Sequence, residues 1–231
     1  MIGIICALAV EVDGLKSMME NRLDMEYANI KFSMGTIEGK SVVAAECGVG
    51  KVNAAMCAQL MIDKYKPDFI INSGVAGALV DDLRICDMVV GTEVLQHDMN
   101  ASALGDPIGE ITFPDANRIY FPCDEAIAKK IFKLCEGIED AHAFMGRIAS
   151  GDLFVSRRSK RARINIRFDA IACEMEGGAI GHVCFRNNVP FCVFRVISDD
   201  LNKNQGMDFK DFCGIAGTRS ILVISDFIKS L

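Results

Sequence analysis

The feature that most limits what this chain can fold into is its alternation of short apolar runs of strand length with longer segments of helical character. Such runs stay buried only if helices cover the sheet they form, so the pattern predicts an α/β protein. Strands are expected at Ile2 to Cys6, Lys40 to Glu46, Phe69 to Asn72, Asp87 to Gly91 and Pro190 to Ile197, with Ile171 to Glu176 leading into a helix. Helices are expected over about 10–21, 53–64, 124–136, 177–187 and 209–230. No linker, low-complexity tract or repeat divides these segments, so one domain over residues 1–231 is expected. A chain of this size buries roughly 70% of its unfolded surface and needs neither disulfide nor metal to hold a core. Ligands of α/β sheets bind beyond the carboxyl ends of the strands, which makes Asn72, Glu176 and Asp199 candidates on position alone.

The ten cysteines are scattered singly, without a C-x-x-C pair, and most sit in apolar surroundings such as Pro190-Phe-Cys-Val-Phe194. They read as buried thiols of a reducing compartment, so a cytoplasmic location is expected. The N-terminus has no basic leader, and no apolar run reaches the length of a membrane helix. A net charge of −6 argues against nucleic acid or an anionic membrane as partner. The one basic run, Ser156 to Arg163, lacks interleaved aromatics and reads as a solvated helix face. His97, His142 and His182 have no spacing that suits zinc, so no metal is expected. His97 is a candidate for the border of a site or a structural histidine, and His182 for a structural role.

The glycine motifs do not bind phosphate by any specific pattern. A Walker loop ending at Gly50-Lys51 would need glycine at 45 and a hydroxyl residue at 52, where the chain has Ala45 and Val52. A dinucleotide motif fails because Lys51-Val52-Asn53 follows Gly48-Val-Gly50. Gly74-Val-Ala-Gly77 reads as a strand-to-helix turn, with ligand contact equally open.

Six segments together carry a resemblance that spans nearly the whole chain. They are Ile2 to Val12, Cys47 to Ala55, Ile70 to Gly77, Ser150-Gly-Asp-Leu-Phe154, Glu174-Met-Glu176 and Val193-Phe-Arg-Val-Ile-Ser-Asp199. In this order they resemble the methylthioadenosine/S-adenosylhomocysteine nucleosidases of the nucleoside phosphorylase/nucleosidase superfamily. The resemblance implies a three-layer αβα fold with a central twisted mixed β-sheet, and a homodimer whose partner chain helps close the pocket. It also implies an adenine nucleoside as substrate, water as nucleophile and no coenzyme.

Cleaving an N-glycosidic bond to adenine needs a proton for the leaving base and a water for the sugar carbon. By the resemblance, Asp199 would protonate N7 of the purine, and Glu11 would hold or deprotonate the water from the opposite side, a division of labour like that of inverting glycosidases. Glu176 would accept hydrogen bonds from the ribose hydroxyls, and Met175 would pack under the sugar. Arg195 would lie near the water, Phe154 would stack on adenine, the Val155 backbone would read the purine edge, and Ser198 would bond near Asp199. Val75, Ala76 and Gly77 would touch substrate. Phe209, with Val49 and Leu8, would wall the 5′ substituent.

Each residue has a plainer competing reading. Asp199 suits a helix cap and has Asp200 as a rival; Glu11 suits the first turn of a helix; Glu174 either rivals Glu176 or faces outward. Core packing competes for Phe154, Val49 and Leu8. Two positions depart from the family pattern: Val75, where many relatives carry a serine beside the water, and Leu104, where relatives often place an aromatic that reaches the neighbouring subunit's pocket. Two other functions are compatible with the architecture. One is a purine nucleoside phosphorylase, disfavoured because Glu11 would repel phosphate. The other is a non-catalytic binding or storage protein, disfavoured by intact Glu11, Glu176 and Asp199.

Overall fold

The computed structural model describes residues 1–199 and 216–231 with their side chains, and the backbone of the last helix from Phe209. The elements in chain order are β1 (Ile2–Cys6), α1 (Ala9–Ser17), β2 (Glu20–Tyr27), β3 (Ile30–Ile37), β4 (Lys40–Glu46), α2 (Lys51–Tyr65), β5 (Phe69–Ala78) and β6 (Met88–Gln96). There follow β7 (Ile111–Thr112), β8 (Asn117–Arg118), β9 (Phe121–Pro122), α3 (Glu125–Cys135), β10 (Ala143–Ser150), α4 (Arg158–Phe168), β11 (Ala170–Glu174), α5 (Gly177–Asn187), β12 (Phe191–Asp199) and α6 (Phe209–Lys229).

The main sheet is mixed and runs β11-β10-β6-β12-β5-β1-β4-β3-β2. Strand β1 lies parallel to both β4 and β5, while β12 is parallel to β5 and antiparallel to β6. At the far end β11 turns back and pairs antiparallel with β5 through Ala172↔Ala78 and Cys173↔Gly77. Five strands, β5, β12, β6, β10 and β11, therefore close into a ring.

Two cores flank the sheet. On one face Ala54, Cys57, Ala58 and Met61 of α2 and Ile180 and Cys184 of α5 pack on Ile5, Val43 and Val193. On the other, Val12 and Leu15 of α1, Ile131 of α3 and Ile224 and Phe227 of α6 pack on Ile4, Val42 and Phe194. Because helices cover both faces, β1 is buried along its whole length, which explains a continuous apolar run where a half-exposed strand would alternate. The three-layer αβα arrangement agrees with the expected fold class.

Several local expectations are corrected. Helix α1 ends at Ser17, and the chain then forms the β2–β3 hairpin, which the sequence pattern did not suggest. Strand β2 lies at the sheet edge and is exposed over most of its length, so no apolar alternation marks it. Strand β10 likewise lies where the sequence pattern marks no strand. Residues Gly74 to Gly77 are the second half of β5 and do not form a strand-to-helix turn. Asn72 consequently sits inside the sheet, fully buried, with its amide donating to the Ile5 carbonyl at 2.9 Å.

Candidate active site

The carboxyl ends of β1, β5, β11 and β12 converge on a cavity of about 250 Å³, whose walls include Ala7, Leu8, Glu11, Val49, Val75 to Gly77, Phe154, Cys173 to Glu176, Arg195, Ser198 and Asp199. Ten of the twelve residues proposed from sequence meet there: Glu11, Val75, Ala76, Gly77, Phe154, Met175, Glu176, Arg195, Ser198 and Asp199. Val155 lines a smaller recess that shares Gly77, Phe154 and Asp199 with the main chamber. The Phe209 side chain and Asp200 lie outside the described residues.

Glu11 occupies the first turn of α1, and its side chain folds back over the helix start. One carboxylate oxygen accepts from the amides of Ala7 at 3.0 Å and Leu8 at 2.9 Å; the other accepts from the Val75 amide at 3.2 Å. The carboxylate thus satisfies free amides at the helix start while lining the cavity. Burial raises its proton affinity, against the pull of Arg195 and of these amides.

Arg195 comes from β12 and is almost wholly buried. Its guanidinium donates to Asn72 Oδ1 and to Glu174, and lies 3.7 Å from Glu176. Its Nε has no hydrogen-bond partner among the described residues. Gly74 of β5 makes room for this cluster: a Cβ there would stand 2.4 Å from an Arg195 nitrogen and 2.8 Å from a Glu11 oxygen. The glycine is required by close approach in mid-strand.

Glu174 faces inward, so of its two readings the outward one falls. It accepts from Ser150 Oγ, from Arg195, and from the amides of Glu176 at 3.0 Å and Gly177 at 2.7 Å, so it holds the start of α5. Glu176 is buried beside it, with one oxygen taking the Gly50 amide at 2.9 Å. Burial first, then the neighbouring Glu174, push the Glu176 carboxyl up to about 7, although Arg195 pulls the other way. Three buried carboxylates thus share one guanidinium.

At the opposite end stands Asp199, the last residue of β12. Ser198 Oγ lies 3.0 Å from Asp199 Oδ1 and 3.3 Å from the Ala76 carbonyl, and its single proton serves one of them at a time. The other Asp199 oxygen is bound by the guanidinium of Arg161. Arg161 belongs to the basic run read as a solvated face. The reading holds for the exposed Arg157, Arg158, Lys160 and Arg163, but Arg161 is buried. A signal was present: Arg161, Ile164 and Phe168 recur at helical spacing and are the three buried residues of α4. Phe154 is 59% exposed and lines the cavity, so it is no core residue. Val49 and Leu8 line the chamber, whereas Leu104 is exposed. His97 is buried against the Gly151 backbone and is not among the cavity walls; His182 stacks on Phe121.

Residues 1–229 match the family model described as the phosphorylase superfamily. The chain is 39% identical over 232 residues to a 5′-methylthioadenosine/S-adenosylhomocysteine nucleosidase of Shewanella oneidensis, covering 100% of this chain and 97% of that protein. It is 36% identical to the enzyme of the same name from Staphylococcus haemolyticus, with both chains covered in full. Among solved structures, the nucleosidase of that name from Neisseria meningitidis, in complex with methylthio-immucillin-A, superposes with a TM-score of 0.90 at 32% identity over 100% of this chain and 99% of that one. The Colwellia psychrerythraea nucleosidase in complex with adenine gives 0.91 at 31% identity, covering 100% and 95%.

Proposed function

The chain belongs to the phosphorylase superfamily and, within it, to the 5′-methylthioadenosine/S-adenosylhomocysteine nucleosidases, and on that premise we propose how its own residues carry the reaction. It is an N-glycosyl hydrolase that releases adenine from methylthioadenosine and S-adenosylhomocysteine. The observation that carries our reading is the gathering of Glu11, Glu176 and Asp199, from distant parts of the sequence, around one cavity.

In this reading adenine stacks on Phe154, and the backbone of Val155 meets the purine edge. The Asp199 carboxyl gives its proton to N7, the N9–C1′ bond breaks, and its electrons pass to the departing base. Water held by Glu11 bonds to C1′ and yields a proton to that carboxylate, whose burial makes it a better base than an exposed glutamate. Arg195, anchored by Asn72 and Glu174, is a wall of the same cavity and stands near that water. Glu176 accepts hydrogen bonds from the ribose hydroxyls above Met175. The masking of a polar pocket by apolar walls, Leu8, Val49, Val75 and Ala76, suits a thioether substituent.

Water is favoured over phosphate as nucleophile because, among the described residues, Arg195 is the one cation in the cavity walls and is already engaged by acidic neighbours. A phosphate would meet three carboxylates there. We further infer a homodimer: Val49, Val52, Met56, Leu104 and Phe154 are exposed apolar residues, and two of them also wall the cavity, so a partner that covers them would close the pocket. The nine described cysteines are free thiols, which supports a reducing, cytoplasmic setting. Adenine release from methylthioadenosine, followed by chromatography with and without phosphate, tests the reading. Free thioribose without phosphate is expected; a ribose 1-phosphate that forms only with phosphate would overturn the role given to Glu11.

A further inference from the structure

Among the described residues, the Arg161 guanidinium is spent on three separate stretches of chain at once. Its Nε donates to the Val155 carbonyl at 2.8 Å, one terminal nitrogen reaches the Ala78 carbonyl at 3.2 Å and the Asp199 carbonyl at 3.4 Å, and the other binds the Asp199 carboxylate. Val155 precedes α4, Ala78 ends β5 and Asp199 ends β12, so one rigid fork sets the relative positions of the segments around the purine end of the cavity. Gly77, next to Ala78, leaves the space: a Cβ there would stand 3.1 Å from Asp199 Oδ1 and 3.5 Å from an Arg161 nitrogen. The pair is also asymmetric in exposure. The arginine side chain is 5% exposed and sealed in the wall, whereas that of Asp199 is 29% exposed. A tie serving the fold alone needs only the carbonyls; this one places a permanent cation on the carboxylate that opens to the cavity.

We propose that Arg161 is a positioning residue for the acid: it fixes the Asp199 carboxylate at the purine end and is its counter-charge once the proton has left. The inference rests on Asp199 as the proton donor. Before the step the carboxyl holds a proton; during it the proton passes to the purine nitrogen while the glycosidic electrons pass to the base. The remaining carboxylate pairs with a guanidinium that does not have to move, so no reorganisation accompanies the developing charge. Solvent then restores the proton. Arginine is suited to this where lysine is not, because its planar fork serves the carbonyls and the carboxylate together.

The test is the pH profile of kcat/KM for Arg161→Gln, with Arg161→Lys and Asp199→Asn measured beside it and folding checked by thermal melting. Without the guanidinium the carboxylate loses its counter-charge and keeps its proton to higher pH. The alkaline limb of the Arg161→Gln profile should therefore move up by about one pH unit. Its kcat/KM near neutrality should fall about 100-fold through misplacement of the acid. Arg161→Lys keeps a cation but not the fork, and should lose activity chiefly in kcat, with KM little changed. A folded Arg161→Gln whose alkaline limb stays in place overturns the proposal. So does full activity in Arg161→Lys, which decides the matter if the glutamine variant does not fold. Wild-type turnover in Asp199→Asn would instead remove the acid role on which the inference rests.

Discussion

Replacing Glu176 by glutamine should make the ligand-free protein more stable at alkaline pH while harming its activity. The side chain is 6% exposed, and its carboxyl is pushed from 4.5 up to about 7 by burial and by Glu174. A carboxyl whose folded value is raised contributes fully below about pH 4.5, and that contribution is lost as pH rises through about 7, because the unfolded chain ionises while the folded one must hold the proton or bury a charge. The full difference corresponds to about 3 kcal/mol. Glutamine has the shape of the protonated acid, keeps an oxygen for the Gly50 amide, and has no charge to bury. The gap in melting temperature between variant and wild type should therefore be near zero below pH 4.5 and widen to roughly 5–10 °C at pH 8. The similarly raised Glu11 is present in both proteins and cancels from the difference. Calorimetric melts at half-unit intervals from pH 4 to 9 measure it. A gap that stays flat with pH, or a variant less stable at pH 8, would refute the account of this carboxylate cluster.

Other substitutions test other parts of the site. Asp199→Asn and Glu11→Gln should each lower kcat by about 10²–10⁴-fold while adenine still binds, as measured by turnover and by calorimetric titration; near-wild-type rates in both would sink the two-carboxylate reading. Gly74→Ala should abolish activity and lower stability by about 1–3 kcal/mol, since its methyl would collide with the Arg195 and Glu11 side chains; an active, unperturbed variant would show that the cluster yields easily. Val52→Glu should shift the protein toward monomer in sedimentation and reduce turnover, because Val52 is 75% exposed and three residues along the chain from the cavity wall Val49; an unchanged assembly would locate any dimer contact elsewhere.

The fold was legible where burial on both sides makes a strand continuously apolar, as in β1 and the Val42 to Ala45 centre of β4, and where a helix carries its own stop signal, as α5 does with Asn188 in a left-handed conformation after it. It was illegible where these signals fail. The β2–β3 hairpin has an exposed outer strand, and its turn uses Ala28 and Asn29, both at positive φ, without a glycine. Gly74 and Gly77 looked like punctuation because single-residue habits of glycine say nothing of side chains arriving from α1, α4 and β12 to fill the space a Cβ would take. The residues that meet at the cavity are named as a set by the resemblance, whereas their partners are not. Glu174 points inward because the backbone bends between β11 and α5, and Arg161 was hidden by the average character of the basic run around it.

The closure of the five-stranded ring bears on how this protein avoids its own copies. A sheet path has two ends, each a row of unsatisfied amides and carbonyls able to recruit another chain, but here β11 spends part of one end on β5. The opposite border is β2, where Glu20, Arg22, Asp24 and Glu26 occur at every second position. An approaching second β2 would have to strip water from this row of charges before any ladder could form. The arrangement that seats Gly77 and Cys173 at the ring's seam thus leaves the hydrated charges along β2 as the guard against fibrous growth by strand addition.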